Sequence, residues 1–181
     1  MAGLDDTAVE AGGPGATLDA EAVYRQLAPQ VLGYLRARGV EDPEGLTDEV
    51  FLAVIPRLVA VSGGESGLRT LVFSVAHARV VDEHRRRKRR PVQTAYEPDL
   101  DPRLEESAES AALDRVGGTR VDQLLAELGE DQRAVIMLRV IADLSLEQTA
   151  QVVGRSVGAV KQLQRRGLLR LRELMRGEGG R

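Results

Sequence analysis

A chain of 181 residues with a formal net charge of −3 has room for one ordinary domain or two small ones. Hydrophobic residues make up 43% of it, but aromatics only 3% with no tryptophan, so the core must be aliphatic and helix-favouring. There is no cysteine, which excludes disulfides, thiol catalysis and a cysteine-built zinc site, and two histidines, His77 and His84, are too few for zinc without carboxylates. No apolar run approaches the ~18 residues that span a bilayer. The start of the chain is acidic and Gly-rich rather than basic and then apolar, so the expected location is cytoplasmic.

Residues 1–18 lack sustained periodicity and are expected to form a disordered tail. Their "GGPGAT" lacks the Gly-Lys-Ser/Thr ending and the preceding strand of a phosphate loop. From Asp19 the pattern is helical, with Val23, Leu27, Val31 and Leu35 on one face. "GVEDPEG" interrupts it. Leu46, Val50, Phe51, Val54 and Leu58 mark a second helix, with Pro56 as a kink or early stop. After the loop "VSGGESG" comes a third helix, with Leu68, Leu71, Val72, Val75, Ala76 and Val80 inward, running through "HRRRKRRP" to Pro91.

Residues 93–119 are rich in acids, Ser, Ala and Gly and read as a flexible acidic linker, with a helical stretch near 104–115. A second helical module spans 120–176, followed by a short tail, 177–181. It holds "VDQLLAEL" and then "EDQRAVIMLRVIADL", whose candidate core positions are Ala134, Ile136, Met137, Val140, Ile141 and Leu144. The fold class is therefore all-α, two small helical domains (19–92 and 120–176) joined by a linker.

"SLEQTAQVVGRSVGAVKQLQRR" carries helix-turn-helix spacing. Ala150 is small enough for a steep helix crossing, Gly154 tolerates the positive φ of the turn, and Val160 anchors the second helix. Ser156 can cap that helix. Leu146 and Val153 pack from the first helix, and Leu163, Leu168 and Leu171 continue the inner face of the second. The outer face carries Val157, Gly158, Lys161, Gln162, Arg165 and Arg166, suited to a DNA major groove and its flanking phosphates. Lys161 and Gln162 can read base edges, Arg165 a base or a phosphate, and Arg166 a phosphate. Upstream, Arg79, Arg85, Arg86, Arg87, Lys88, Arg89 and Arg90 crowd one helix end. Such a run disfavours an isolated helix and is better explained by bound phosphates.

The pair of modules resembles the bacterial extracytoplasmic-function sigma factors, over about residues 20–92 and 120–176. "GLTDEVFLAVIPRL" is similar to the segment that grips the β′ clamp helices of RNA polymerase. "LRTLVFSVAHARVVDEHRRRKRRP" is similar to the segment that melts and reads the −10 element. "LGEDQRAVIMLRVIADLSLEQTAQVVGRSVGAVKQLQRRGLLRLREL" is similar to the segment that holds the β flap and reads the −35 element. The resemblance implies core-polymerase contacts at Thr47, Asp48 and Glu49, with Phe51 more suited to the core. It implies −10 DNA contacts at Arg79, Arg85, Arg86 and Arg87. It also implies −35 contacts at Lys161, Gln162, Arg165 and Arg166, with Ser156 at the helix start. The chain departs from the family pattern at Gly45, Asp48, Leu71, Ala78 and Gln164.

The implied function is promoter recognition, DNA melting and transcription initiation, with RNA polymerase core and promoter DNA as partners. No cofactor, metal or catalysis is expected. Many members of that family are held by an anti-sigma factor, and nothing in this chain identifies one. The competing reading is a stand-alone helix-turn-helix regulator, which would bind duplex DNA without polymerase. An enzyme acting on nucleic acid would need clustered carboxylates, and adjacent Asp48 and Glu49 point in different directions around a helix.

Overall fold

The computed structural model describes residues 19–89 and 120–178. The tail 1–18, the linker 93–119 with its expected helix near 104–115, and residues 179–181 lie outside them. All regular structure among the described residues is helical. The order is α1 (Ala20–Ala37), α2 (Pro43–Val54), a 3-10 turn (Ile55–Ala60), α3 (Gly64–Arg89), a helical segment α4 (120–126), α5 (Glu130–Val140), α6 (Leu146–Val153) and α7 (Val157–Glu178).

Local chemistry sets the helix boundaries. The Asp19 side chain accepts from Glu21 N–H at the start of α1, and Gly39, at φ 69°, follows its end. Asp42 caps α2 through Gly45 N–H at 2.8 Å, with Pro43 in the first turn, where a missing N–H costs nothing. A Cβ on residue 45 would lie 2.2 Å from Asp42 Oδ2, so this cap favours glycine at the position where the family pattern has aspartate. Pro56 does end α2 early: the helix stops at Val54 and tightens into the 3-10 turn. α3 begins at Gly64, a turn before the first expected inward residue. A Cβ at Gly67 would lie 1.9 Å from Ser62 O, so the chain can fold back on itself there only with glycine.

The helices form two groups. In the first, α1, α2 and α3 bury Val23, Leu27, Val31, Leu35, Val50, Val54, Val72, Ala76 and Val80. Two aromatic pairs brace this core, Tyr24–Phe51 at 4.8 Å and Tyr34–Phe73 edge-on at 5.8 Å. The second group is aliphatic. α5 lies beneath α7, and Gly167 allows the approach: a Cβ there would come within 2.5 Å of Ile136 Cδ1. The inner face of α7 is therefore Val160, Leu163, Gly167 and Leu171. Leu168, expected on that face, points outward and is 48% exposed, because the helical period places position 167 inward.

The two groups are in contact. One continuous apolar cluster contains the first-group core together with Leu125, Leu128, Ile136, Met137, Leu138, Ala142 and Leu144. α5 therefore buries Ala134 through Leu138 on every side, while Val140, expected inside, is 69% exposed. Both Arg-bearing helix faces nevertheless remain on the surface.

Candidate promoter and polymerase interface

The helix-turn-helix is built as its sequence indicates. Ser145 and Gln148 form a reciprocal capping box on α6, which ends at Gly154 in the left-handed region, φ 64°. Val135, Ala150 and Val160 are buried at the crossing, with Val157 packed against them rather than facing out. Ser156 Oγ accepts from Ala159 N–H at 3.2 Å, the expected cap of α7. Lys161, Gln162, Arg165 and Arg166 are all exposed on one outer face of α7. Lys161 and Arg165 continue into a shallow depression of about 420 Å³ with Gln164, Leu168, Leu169 and Arg172.

The upstream basic face is more heavily ion-paired. Arg87 bridges Glu83 at 2.9 Å and Glu41 at 3.3 Å, and Arg85 lies 3.8 Å from Asp82. Arg79 and Arg86 line a cleft with Glu41, Asp42, Glu49, Asp82 and Glu83. Lys88 reaches across to Glu130 at 3.0 Å, which holds that carboxyl below its ordinary pKa. The structure thus brings the four arginines onto the C-terminal part of α3, beside Asp82 and Glu83 of the same helix and Glu41, Asp42 and Glu49 from the α1–α2 region.

Of the α2 residues, Asp48 and Glu49 are exposed, while Thr47 is buried and donates its hydroxyl to Pro43 O at 2.7 Å. Asp48 accepts from the Tyr24 hydroxyl at 3.0 Å, and this bond raises the Tyr24 pKa above its usual value. Phe51 is buried. Beyond Asp48 and Glu49 an apolar stripe was missed: Leu52 (71% exposed), Ile55 and Val59 (85% exposed). Its spacing was visible, but residues at the end of an amphipathic helix read equally well as core.

His77 and His84 are structural. Tyr34 Oη and His77 Nδ1 share a 2.9 Å hydrogen bond, and burial, aided by the nearby Arg38 cation, lowers the His77 pKa to about 4. His84 Nε2 lies 3.2 Å from Arg38 O. Among the described residues no group of three or more His, Cys, Asp or Glu could hold a metal ion, and no helix is long and apolar enough to cross a membrane.

Residues 124–173 match the family model for sigma-70, region 4. The chain is 35% identical over 169 residues to the ECF RNA polymerase sigma factor ShbA of Streptomyces griseus, covering 86% of this chain and 88% of that protein. The chain is an extracytoplasmic-function sigma factor. It is also 32% identical over 160 residues to the ECF sigma factor SigD of Mycobacterium tuberculosis, covering 83% of this chain and 74% of that one. Its fold is similar to that of CnrH in complex with the cytosolic domain of CnrY, with a TM-score of 0.64 at 22% identity over 87% of this chain and 88% of that one. The sigma factor directs transcription initiation by RNA polymerase at promoters, and its family is not enzymatic.

Proposed function

We propose that the sigma factor divides its work between the two helical groups. α2 docks on the β′ clamp helices of the polymerase: Asp48 and Glu49 face a basic partner, and Leu52, Ile55 and Val59 supply apolar contact beside them. α3 and the 61–63 turn before it take the unstacked −10 strand, with Arg79, Arg85, Arg86 and Arg87 toward its phosphates. As the duplex approaches, these arginines exchange carboxylate partners for phosphate, so part of the electrostatic gain is offset. The outer face of α7 enters the −35 major groove, with Lys161 and Gln162 at base edges and Arg165 and Arg166 toward the backbone. The second helical group also meets the β flap. The protein works in the cytoplasm, on chromosomal DNA. An anti-sigma factor is a further partner: the structural relative CnrH is seen with the cytosolic domain of CnrY, and the exposed Leu168 and Leu169 beside Lys161 and Arg165 suit such a competitor.

The observation that carries this division is the capped α7, whose four promoter-facing side chains are exposed together while Val160 and Gly167 are held inward. Run-off transcription from a promoter library, using purified core polymerase with and without the protein, tests it. The expected result is a new set of start sites sharing two spaced elements. Tight duplex binding without polymerase, and no new starts with it, would favour a stand-alone regulator.

A further inference from the structure

The two adjacent acids of α2 serve different surfaces. Glu49 turns toward α3, into the cleft it shares with Arg79 and Arg86. Asp48 turns toward α1, and with the exposed Leu52 and Ile55 it recurs at the four- and three-residue steps of one helix face. On its α1 side a depression of about 400 Å³ opens between the two helices, with Tyr24, Ala28, Pro29 and Leu32 on one wall and Thr47 and Asp48 on the other.

Tyr24 ties this depression to Asp48. Its hydroxyl donates to Asp48 Oδ1 at 3.0 Å. Its ring lies against the buried Phe51, with centroids 4.8 Å apart, so the tyrosine is seated on the core while remaining 42% exposed. One carboxylate oxygen is thereby fixed, and Oδ2 has no hydrogen bond among the described residues. The other charges at the rim are already matched, Arg25 with Glu21 and Glu44 with Arg36, whereas Asp48 carries no ion pair among the described residues. Pro29 has no N–H to give to Arg25 O, so the same wall holds a carbonyl that its own helix cannot pair from position 29. An apolar wall bordered by acceptors suits the side chain of arginine or lysine, whose stem covers apolar surface while its head bonds a carboxylate. Asp48 is one of the positions where the chain departs from the family pattern, so this contact is the chain's own.

We propose that Tyr24 is a positioning residue for the polymerase contact: it holds the Asp48 carboxylate at the mouth of the α1–α2 depression, which takes one arginine or lysine side chain of the polymerase. Phe51 acts there from within, as the seat of the tyrosine. This rests on the assignment of α2 to the polymerase face.

Full-length protein and purified core polymerase test it, with Kd read by competition in fluorescence anisotropy. Tyr24→Phe removes one oxygen and keeps the ring on Phe51. It is expected to bind core about three- to tenfold more weakly, with an unchanged melting temperature. Asp48→Asn is expected to lose at least as much. The double variant Tyr24→Phe/Asp48→Asn should bind no more weakly than Asp48→Asn alone, because the hydroxyl acts only through the carboxylate. Tyr24→Phe combined with Glu49→Gln should instead show independent, additive effects, since Glu49 lies on the other side of α2. Wild-type affinity in Tyr24→Phe, or additive losses in the Tyr24–Asp48 double variant, would overturn the positioning role and leave the α2 docking standing. Full core binding by a protein carrying both Asp48→Lys and Glu49→Lys would overturn the α2 assignment, and this proposal with it.

Discussion

The side chains proposed to face DNA and polymerase are those whose loss should leave the fold untouched. Lys161 and Arg165 are exposed on α7 and serve no cap or core contact described above. Replacing each with Ala should weaken promoter use by about 1–3 kcal/mol where a base contact is lost, and by less where the partner is a phosphate. Transcription from −35 variants would separate the two, since only the base reader changes sequence preference. Asp48→Lys with Glu49→Lys should lower retention on core polymerase while leaving the melting temperature within a few degrees; undiminished retention in a pull-down would remove α2 from the interface. Thr47 lies lower. With its hydroxyl already donated to Pro43 O, it supports the surface rather than forming it. That distinction was not legible, because a threonine beside two acids on a helix looks equally available.

At the scale of the element, the caps and the turn of the helix-turn-helix are local features. Ser145, Gln148, Gly154 and Ser156 act within a few residues of one another, and for that reason the motif could be read from the sequence. Ser145→Ala removes the side-chain half of the capping box and should cost about 1 kcal/mol; Gly154→Ala forces a Cβ into the left-handed region and should cost about 1–2 kcal/mol. Urea denaturation would register both. α5 was less legible. Its expected buried positions assumed one packed face, but it is covered by α7 on one side and by the first helical group on another, so Val135 and Leu138 are buried as well. The phase of α7 slipped for a related reason: Gly167 adds no hydrophobic signal, yet it marks the closest approach to Ile136.

At the scale of the whole molecule, acid should loosen the structure. His77 titrates at about 4 when folded and near its ordinary 6.5 when unfolded, so the unfolded chain binds the extra proton first. The stability linked to its neutral form is complete above pH 6.5 and is lost as pH falls toward 4, about 3 kcal/mol in all. Arg38 adds to the effect and Asp131 opposes it. Melting temperatures between pH 7.5 and pH 5 should fall, and His77→Gln should flatten that slope. The charge distribution of the chain foretold two basic faces; the one on α7 is exposed as such, while the arginines of α3 share their surface with Glu41, Asp82 and Glu83. The contact between the groups was not foretold: Gln148 and Ser66 are 82 residues apart, and neither side of that pairing has a signature of its own.

Separating the two groups would wet Ile141, which meets Gly33, and break the bonds that Arg38, Arg69 and Gln148 make across the seam. Water disfavours such exposure, so the seam resists being opened.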